Sequence, residues 1–182
     1  SVSKHSAGFD AYASPYHAPD QFVKDIAAIT ARRQIDVLLP MTEITTILLT
    51  RARELLPATV RIPFPEADVV ATAADKSKVL KLAADIGVPI PKTLVIESPQ
   101  EIEAVLQRVE YPAVFKPARS RAWTGERWIS GGTAYARTAD DLRARLNSLH
   151  PAIFPVLIQE RIQGPGVGVF VCCGRDSQVL AT

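Results

Sequence analysis

One stretch, residues 111–136, constrains this chain more than any other, and it reads YPAVFKPARSRAWTGERWISGGTAYA. Its apolar run, 112–115, predicts a buried strand that ends at Lys116 and Pro117. The loop after it holds three glycines, three arginines and two tryptophans, and a second short strand follows at 133–136. A lysine at the mouth of a buried strand suits a polyanion, because lysine supplies a point charge and loop amides can cradle phosphate oxygens.

A plainer interpretation of the same stretch is also open. A strand commonly exits into solvent through a charged residue, and a hairpin that contains glycines needs no ligand. Because a lone glycine-bearing loop is a weak motif, these residues by themselves leave phosphate binding and a solvated strand end as alternatives.

Composition narrows the class of protein. The 182 residues are enough for one domain or two small ones, and the hydrophobic fraction of 47% and charged fraction of 22% are typical of a soluble globular chain. A net charge of +2 with dispersed basic residues gives no argument for nucleic acid or a membrane surface, and no apolar run reaches the length of a membrane span. The adjacent Cys172 and Cys173 indicate reduced thiols in a cytosolic protein rather than a disulfide or metal site.

The two ends of the sequence predict a piece of a longer protein. The chain does not begin with methionine, and its first residues are polar and loop-like. It ends in VLAT, an apolar run typical of a strand that continues.

The first part of the chain alternates helices and strands. Asp20 is a candidate cap for a helix at 21–33, and Thr42 for the next helix. The run 35–40 predicts a short, fully apolar strand, and 59–63 is a second candidate. This alternation predicts βαβ units and a parallel sheet, as in a doubly wound α/β unit.

The pattern changes after residue 70. Asp75 can cap a helix whose apolar positions should face inward, and these positions are Val79, Leu80, Leu82, Ala83 and Ile86. Further helices are predicted after the SPQE segment at 98–101 and after Thr138, and strands at 93–96 and 155–162. The segments 167–174 and 177–182 alternate around a turn and predict an antiparallel hairpin. This part should therefore be an α+β unit, with two helices on one face of an antiparallel sheet.

Three motifs in order resemble the ATP-grasp superfamily, specifically its carboxylate–amine ligase group, which is similar to the carbamoyl-phosphate synthase large subunit. The motifs are DKSKVLKLAADIGVPIPKT, YPAVFKP and LIQERIQGPGVGVFV, and DVLLPMTE ahead of them resembles the end of the preceding Rossmann-like domain of these enzymes. The resemblance implies a partial Rossmann-like pre-ATP-grasp domain at 1–70 and the N-terminal part of an ATP-grasp domain at 71–182. The implied fold class is α/β, with an α+β ATP-grasp subdomain built on an antiparallel sheet.

The resemblance also implies a reaction and its cofactors. ATP phosphorylates a carboxylate to an acyl phosphate, and an amine or ammonia then displaces phosphate. Such chemistry needs charge neutralisation on the triphosphate, which cations and Mg²⁺ supply. The implied partners are small-molecule carboxylate and amine substrates and a second copy of the chain, in a cytoplasmic enzyme that binds neither nucleic acid nor membrane.

Matching motif to motif assigns the nucleotide-binding residues. Lys76 and Lys116 match the two phosphate-contacting basic residues, and the segment Gln159, Glu160 and Ile162 matches the hinge that reads adenine. The loop 118–132 matches the flexible loop that closes over the phosphates, and its candidate contacts are Arg119, Ser120, Gly131 and Gly132. We predict that 119–131 is the most mobile internal segment in the absence of nucleotide.

Two features depart from a complete site. Where the family usually has an acidic residue that holds the ribose hydroxyls, this chain has Gly166. The family's Mg²⁺ ligands lie on strands that would follow Thr182, so we assign no metal ligand and no catalytic residue within 1–182 and expect this fragment alone not to turn over ATP. The alternative function is a nucleotide-binding regulatory or assembly module without ligase activity.

Overall fold

The computed structural model describes residues 4–182, and its secondary structure changes in character part-way along the chain. The first half is mainly helical, with α1 (Pro19–Arg32), α2 (Glu43–Arg51), α3 (Ala67–Ala73) and α4 (Lys76–Asp85). The remaining helices are α5 (Ile102–Leu106) and α6 (Ala139–Asn147). The strands are β1 (Thr93–Ile96), β2 (Ala113–Pro117), β3 (Ala122–Trp123), β4 (Trp128–Ile129), β5 (Ala134–Ala136), β6 (Val156–Glu160), β7 (Cys172–Cys173) and β8 (Val179–Ala181).

The two strands predicted at 35–40 and 59–63 meet in parallel, but only through one bridge between Val37 and Arg61. Two backbone hydrogen bonds close it, from Leu38 N–H to the Arg61 carbonyl at 2.9 Å and from Arg61 N–H to the Asp36 carbonyl at 2.8 Å. The segment 35–40 is apolar but not buried throughout, since Val37 and Leu39 are 52% and 60% exposed. Only the face that carries Leu38 packs against the apolar cluster built by α1 and α2.

Three of the predicted helix caps, at Thr42, Asp75 and Thr138, are present, and the one predicted at Asp20 is not. Thr42 accepts a hydrogen bond from Thr45 N–H in a capping box, and Asp75 and Thr138 also cap as predicted. The prediction for Asp20 was wrong, because α1 begins at Pro19 and Asp20 lies within its first turn. Proline at a first helical position loses no backbone hydrogen bond, which explains the earlier start.

Four antiparallel strands form the main sheet, in the order β1-β6-β2-β5. Helices α5 and α6 cover one face of it, and their side chains join those of the strands in one hydrophobic core. Fully buried members of this core are Ile96, Ala136, Leu142, Leu146 and Val156. The predicted α+β arrangement, two helices on one face of an antiparallel sheet, is confirmed.

The other face of the sheet carries a row of aligned side chains, one from each strand. The register pairs Thr93 with Gln159, Gln159 with Val114, and Val114 with Tyr135. Because side chains alternate between the faces of a strand, Lys116 lies on the same face as Val114, two residues further along β2. The helix-free face therefore holds the lysine that ends the buried strand.

Helix α4 does not bury the apolar face that its sequence predicts. Val79, Leu82 and Ile86 are 42%, 55% and 69% exposed, and α4 has no fully buried residue. The helix touches the end of β2 with its first residue, and Lys76 N–H donates to the Ala118 carbonyl at 2.8 Å. It meets the sheet end-on rather than lying across it, which leaves the apolar stripe in solvent.

The last predicted hairpin is present but short, with β7 and β8 forming their own two-stranded antiparallel sheet. Apolar side chains ahead of it are largely exposed, with Val167, Val169 and Phe170 all at least 80% accessible. Among residues 4–182, no helix has both the length and the apolar character needed to cross a membrane.

Candidate functional site

Strand β2 delivers Lys116 to one end of the main sheet. Its residues alternate between buried and half-buried, so Phe115 enters the core beneath α5 and α6 while Lys116 points to the opposite face. The stem of Lys116 is half-buried, and within the described residues its ammonium has no ion pair and no hydrogen bond. Burial lowers the pKa of the Lys116 ammonium, and the charge of Lys76 lowers it further.

Lys76 reaches the same place from the start of α4. Asp75 caps the helix, so Lys76 is its first residue. Its Nζ lies 3.4 Å from the Ala118 carbonyl and 3.3 Å from Ser120 Oγ, both on the segment that leaves β2. The fold thus brings together three of the residues assigned from the motifs, Lys76, Lys116 and Ser120, although Lys76 lies forty residues from Lys116 in sequence.

Arg119 lies beside this pair but already has protein partners. Its Nη2 donates to the Phe154 carbonyl at 2.9 Å, and its charge contributes to lowering the pKa of Asp75. The rest of the side chain is exposed to solvent. Arg119 therefore anchors the loop to the segment before β6 as well as adding positive charge near the two lysines.

The loop predicted at 118–132 is not irregular throughout. Its centre is the β3–β4 hairpin, closed by hydrogen bonds between Thr124 and Arg127, with Gly125 at φ 101° in the turn. The rings of Trp123 and Trp128 lie 5.3 Å apart across the strands. Whether this segment is the most mobile one remains a prediction.

The two glycines assigned to this loop have different surroundings. A Cβ on Gly131 would lie 2.4 Å from Pro117 Cγ, so the backbone there passes directly over the end of β2. A Cβ on Gly132 would meet nothing within 4 Å. Close packing explains Gly131 without a ligand, whereas Gly132 leaves its backbone open to solvent.

A further contact joins the hairpin to the start of the chain. The guanidinium of Arg121 lies 5.9 Å from the centre of the Tyr16 ring, a distance at which a cation is attracted to the aromatic face. Sequence reasoning did not identify this pair, since nothing in the sequence shows which residues of two distant segments meet.

At the other end of the sheet, the hinge side chains bind the protein itself. Gln159 is buried, and its Nε2 donates to Thr93 Oγ1 at 2.8 Å. Glu160 Oε1 accepts from Lys92 N–H at 2.7 Å, and Glu160 N–H donates to the Lys92 carbonyl at 3.1 Å. Ile162 is 66% exposed and follows β6. The hinge residues are thus about three residues of strand, roughly 10 Å, from the lysine end.

Two residues that sequence reasoning missed lie on this face near the hinge. Arg161 places its guanidinium 5.6 Å from the centre of the Tyr135 ring. Tyr135 belongs to the row of side chains that crosses the sheet, and its ring is 58% exposed. The alternation in TAYA signals that Tyr135 points away from the core, but only the strand pairing shows that it faces the same side as Lys116.

A cleft of about 340 Å³ opens behind the hinge end of the sheet. Its floor is apolar, and charged side chains line its rim, among them Lys92, Arg108 and Glu160. Its lining comes from both faces of the sheet, with Ala113 and Ile158 from the helix side and Thr93 and Gln159 from the Lys116 face, at the end of the strands away from that lysine. Its position separates it from the lysine pair.

The described residues do not provide a metal site. No group of three or more histidine, cysteine, aspartate or glutamate side chains in 4–182 is placed to hold a metal ion. Cys172 and Cys173 are both free and exposed.

Comparison with known sequences gives short matches. No protein-family model matches the chain. The carbamoyl phosphate synthase large chain of Pseudomonas aeruginosa is 32% identical over 99 residues, which is 54% of this chain and 9% of that protein. The chain thus spans less than a tenth of the length of this relative.

Solved structures give longer matches at lower identity. A carboxyaminoimidazole ribonucleotide synthase from Aspergillus clavatus, complexed with ATP, matches 86% of this chain and 37% of its own length, with a TM-score of 0.58 and 19% identity. A RimK domain protein ATP-grasp from Sphaerobacter thermophilus matches 71% of this chain and 47% of its own length, with a TM-score of 0.50 and 18% identity.

This chain has the ATP-grasp fold. The resemblance to ATP-grasp proteins and to the carbamoyl-phosphate synthase large subunit is confirmed by both kinds of comparison. A biotin carboxylase domain dimer from Hydrogenobacter thermophilus, in complex with MgADP, ADP and bicarbonate, has the same fold over 79% of this chain and 32% of its own length, at a TM-score of 0.57 and 13% identity.

Proposed function

We propose that this chain is the ATP-binding part of an ATP-dependent ligase, which activates a carboxylate as an acyl phosphate and joins it to an amine or ammonia. The observation that carries the proposal is the convergence of Lys76 and Lys116 at one end of the sheet, close enough for the charge of one to lower the pKa of the other. Holding two cations together without a counter-ion costs free energy, which a bound polyanion recovers.

The distribution of partners supports a phosphate ligand at this end. Lys116 has no protein partner within the described residues, and Lys76 contacts only a carbonyl and a hydroxyl, which are neutral. A charged ligand group therefore has no salt bridge to displace on binding. The exposed backbone of Gly132 and the hairpin beyond it lie on the same loop.

The comparisons support the class of reaction, and the substrates and the oligomeric state are proposed for the complete protein. The ATP-bound structural neighbour and the carbamoyl phosphate synthase relative favour an ATP-dependent enzyme. The same proposal includes domains at 1–70 and 71–182, small-molecule carboxylate and amine substrates, and a cytoplasmic homodimer. The two separate hydrophobic clusters support the division, and the dimeric biotin carboxylase domain supports the second copy.

Mg²⁺ belongs to the proposal for the complete protein but not to this part of it. The described residues offer no cluster of acidic or histidine ligands, so they do not fit a magnesium site. What this chain contributes is positive charge from Lys76 and Lys116, which would neutralise phosphate oxygens.

Replacing Lys116 tests the proposal. In the complete protein, Lys116→Ala should weaken ATP binding about tenfold or more, since a hydrogen bond to a charged group is worth about 1–3 kcal/mol. Because Lys116 has no protein partner among the described residues, the melting temperature without nucleotide should change little. Titration calorimetry and thermal melts measure the two effects.

Lys24→Ala is the matched control. Lys24 is exposed on α1 and belongs to none of the motifs, so neither ATP affinity nor melting temperature should change. If wild type and Lys116→Ala bound ATP with equal affinity, Lys116 would be only a solvated residue at the end of a strand. The proposal would then lose its main support.

Gly166 favours a second candidate, a nucleotide-binding regulatory or assembly module. A glycine there offers no carboxylate for the ribose, and a Cβ at this position would meet nothing within 4 Å. The two candidates differ in turnover: a ligase releases phosphate from ATP when its carboxylate and amine substrates are supplied, whereas the module binds ATP without releasing it. Phosphate release by the complete protein, assayed across carboxylate and amine pairs, separates them.

A further inference from the structure

Asp75 is a buried carboxylate at the edge of the lysine pair that the proposed function leaves without a role. It is 7% exposed and immediately precedes Lys76. A carboxylate removed from water is costly unless hydrogen bonds or a nearby cation compensate it. Its partners therefore show what it holds in place.

The hydrogen-bond partners of the Asp75 carboxylate lie on α4. Its Oδ1 accepts hydrogen bonds from Ser77 Oγ at 2.5 Å, Ser77 N–H at 3.0 Å and Lys78 N–H at 3.4 Å. Burial raises the pKa of Asp75, but these hydrogen bonds and the charge of Arg119 outweigh it, so the pKa lies below its ordinary value. Asp75 is thus ionised, and its hydrogen bonds fix the first turn of α4.

Arg119 holds the loop after β2 in place. Its guanidinium donates to the Phe154 carbonyl, and Ala118 N–H donates to the Pro155 carbonyl at 2.9 Å. Lys76 N–H in turn donates to the Ala118 carbonyl at 2.8 Å. The first turn of α4, the end of β2 and the segment before β6 are therefore fastened together at one point.

Lys76 and Lys116 repel each other when no anion is bound, so something must hold them side by side. We propose that Asp75 and Arg119 are positioning residues, which fix the first turn of α4 against the end of β2 and so keep Lys76 beside Lys116. This inference rests on the proposed nucleotide site, and it assigns Arg119 to the scaffold of that site rather than to the phosphates.

The sign of the effect separates positioning from simple electrostatics. Asp75 is itself negative, so if its charge acted only through space, removing that charge would tighten binding of a polyanion. If Asp75 acts by position, removing the oxygen that caps α4 loosens the start of the helix and weakens binding. The two roles thus predict opposite changes in ATP affinity.

The test uses ATP as the probe and the complete protein. Asp75→Ala removes both the cap and the charge, and we expect it to weaken ATP binding about fivefold, as for the loss of a strong cap interaction. Asp85→Ala, at an exposed aspartate at the other end of the same helix, should leave ATP affinity unchanged. Unchanged or tighter ATP binding by Asp75→Ala overturns the inference.

Two further measurements keep the test decisive. Asp75→Asn keeps an oxygen that can cap α4 and loses only the charge, so it should bind ATP at least as tightly as wild type, and a loss equal to that of Asp75→Ala overturns the role of the cap. In a double-mutant cycle, Arg119→Gln should weaken ATP binding in wild type but add little in the Asp75→Ala background, because both residues hold the same junction. Full additivity of the two losses assigns Arg119 to direct phosphate contact and overturns its positioning role.

A titration of the Lys116 ammonium by NMR provides a readout that general loss of stability does not move. In Asp75→Ala the pKa of Lys116 should rise toward its ordinary value, because Lys76 leaves its side; Asp75 and Arg119 are the other charged groups at this point. An unchanged Lys116 pKa contradicts the inference. Different results would contradict the proposed function: a wild-type protein that does not bind ATP, or a Lys116→Ala variant that binds ATP as tightly as wild type.

Discussion

The two ends of the main sheet differ in how their polar side chains are used. At the lysine end, Lys116 has no protein partner among residues 4–182, and its nearest charged neighbour is another cation. At the hinge end, Gln159 and Glu160 are both hydrogen-bonded to the strand beside them. At the first end two cations lie together with no ion pair among the described residues, whereas the side chains of the second end are hydrogen-bonded within the protein.

This difference indicates how each end would contribute to binding a nucleotide. The lysine end contributes charge, so its effects should be large and should depend on pH. The hinge end has few free side-chain groups and contributes chiefly backbone groups and shape, so single side-chain replacements there should have small effects.

The largest expected effect is a pH dependence at the lysine end. The Lys116 pKa lies below its ordinary value of 10.5, so Lys116 loses its proton at a lower pH than an unperturbed lysine would. Because ATP binds the charged form, ATP affinity should fall by up to about tenfold per pH unit above that lowered pKa. Calorimetry across an alkaline pH series measures this fall, and Lys116→Ala should abolish it.

The stability of the protein without nucleotide should change in the opposite direction. Over the interval between the lowered pKa and 10.5, the unfolded chain holds the Lys116 proton and the folded protein does not. The linkage relation then makes the free energy of unfolding rise with pH through this interval. The contribution of Lys116 is the difference in the free energy of unfolding between wild type and Lys116→Ala. If this contribution fell with pH in that interval, the pKa of Lys116 would be raised in the folded protein instead.

The next effect is on stability, at the loop that follows the lysine. Gly131→Ala places a methyl group 2.4 Å from Pro117 Cγ, and overpacking of this kind costs about 1–3 kcal/mol. Gly132→Ala adds its methyl group in open space and should change the free energy of unfolding by less than about 0.5 kcal/mol. Urea denaturation of both variants compares them, and equal losses would contradict the close packing of Gly131.

The smallest effect is expected at the hinge. Glu160→Ala removes the acceptor for Lys92 N–H, which is exposed and can bind water instead. ATP affinity should change less than about threefold, since an exposed hydrogen bond contributes little net free energy. Glu110→Ala removes another exposed acid near Lys92 and is the control. A loss of ATP affinity above tenfold in Glu160→Ala but not in Glu110→Ala would show that the Glu160 side chain contacts the adenine base directly.

Local chemistry made much of this fold predictable. The caps at Thr42, Asp75 and Thr138 follow from side-chain hydrogen bonding within one helical turn. The helix-covered side of the sheet follows from apolar spacing in α5, where Ile102 and Val105 are buried. Such features depend on residues close in sequence, and the sequence contains them in full.

What depends on distant pairing was not predictable. Periodicity places Val79 and Leu82 on an apolar face of α4, but not whether that face meets anything. The motifs identified Lys76 and Lys116, whereas Tyr135 and the partners of Glu160 emerged only from the strand register. The close approach that requires Gly131 also involves residues far apart in sequence, so the glycine was interpreted as a ligand contact alone.

The contact between Arg121 and Tyr16 has a mechanical consequence. The segment that carries Tyr16 is fixed to α1, since Ala13 N–H donates to Asp25 Oδ2 at 2.8 Å and Asp10 pairs with Arg32. A displacement of the β3–β4 hairpin by a few ångströms would therefore separate the Arg121 guanidinium from the Tyr16 ring. The reactivity of the Tyr16 phenol toward a surface-labelling reagent accordingly reports the position of a hairpin about 100 residues further along the chain.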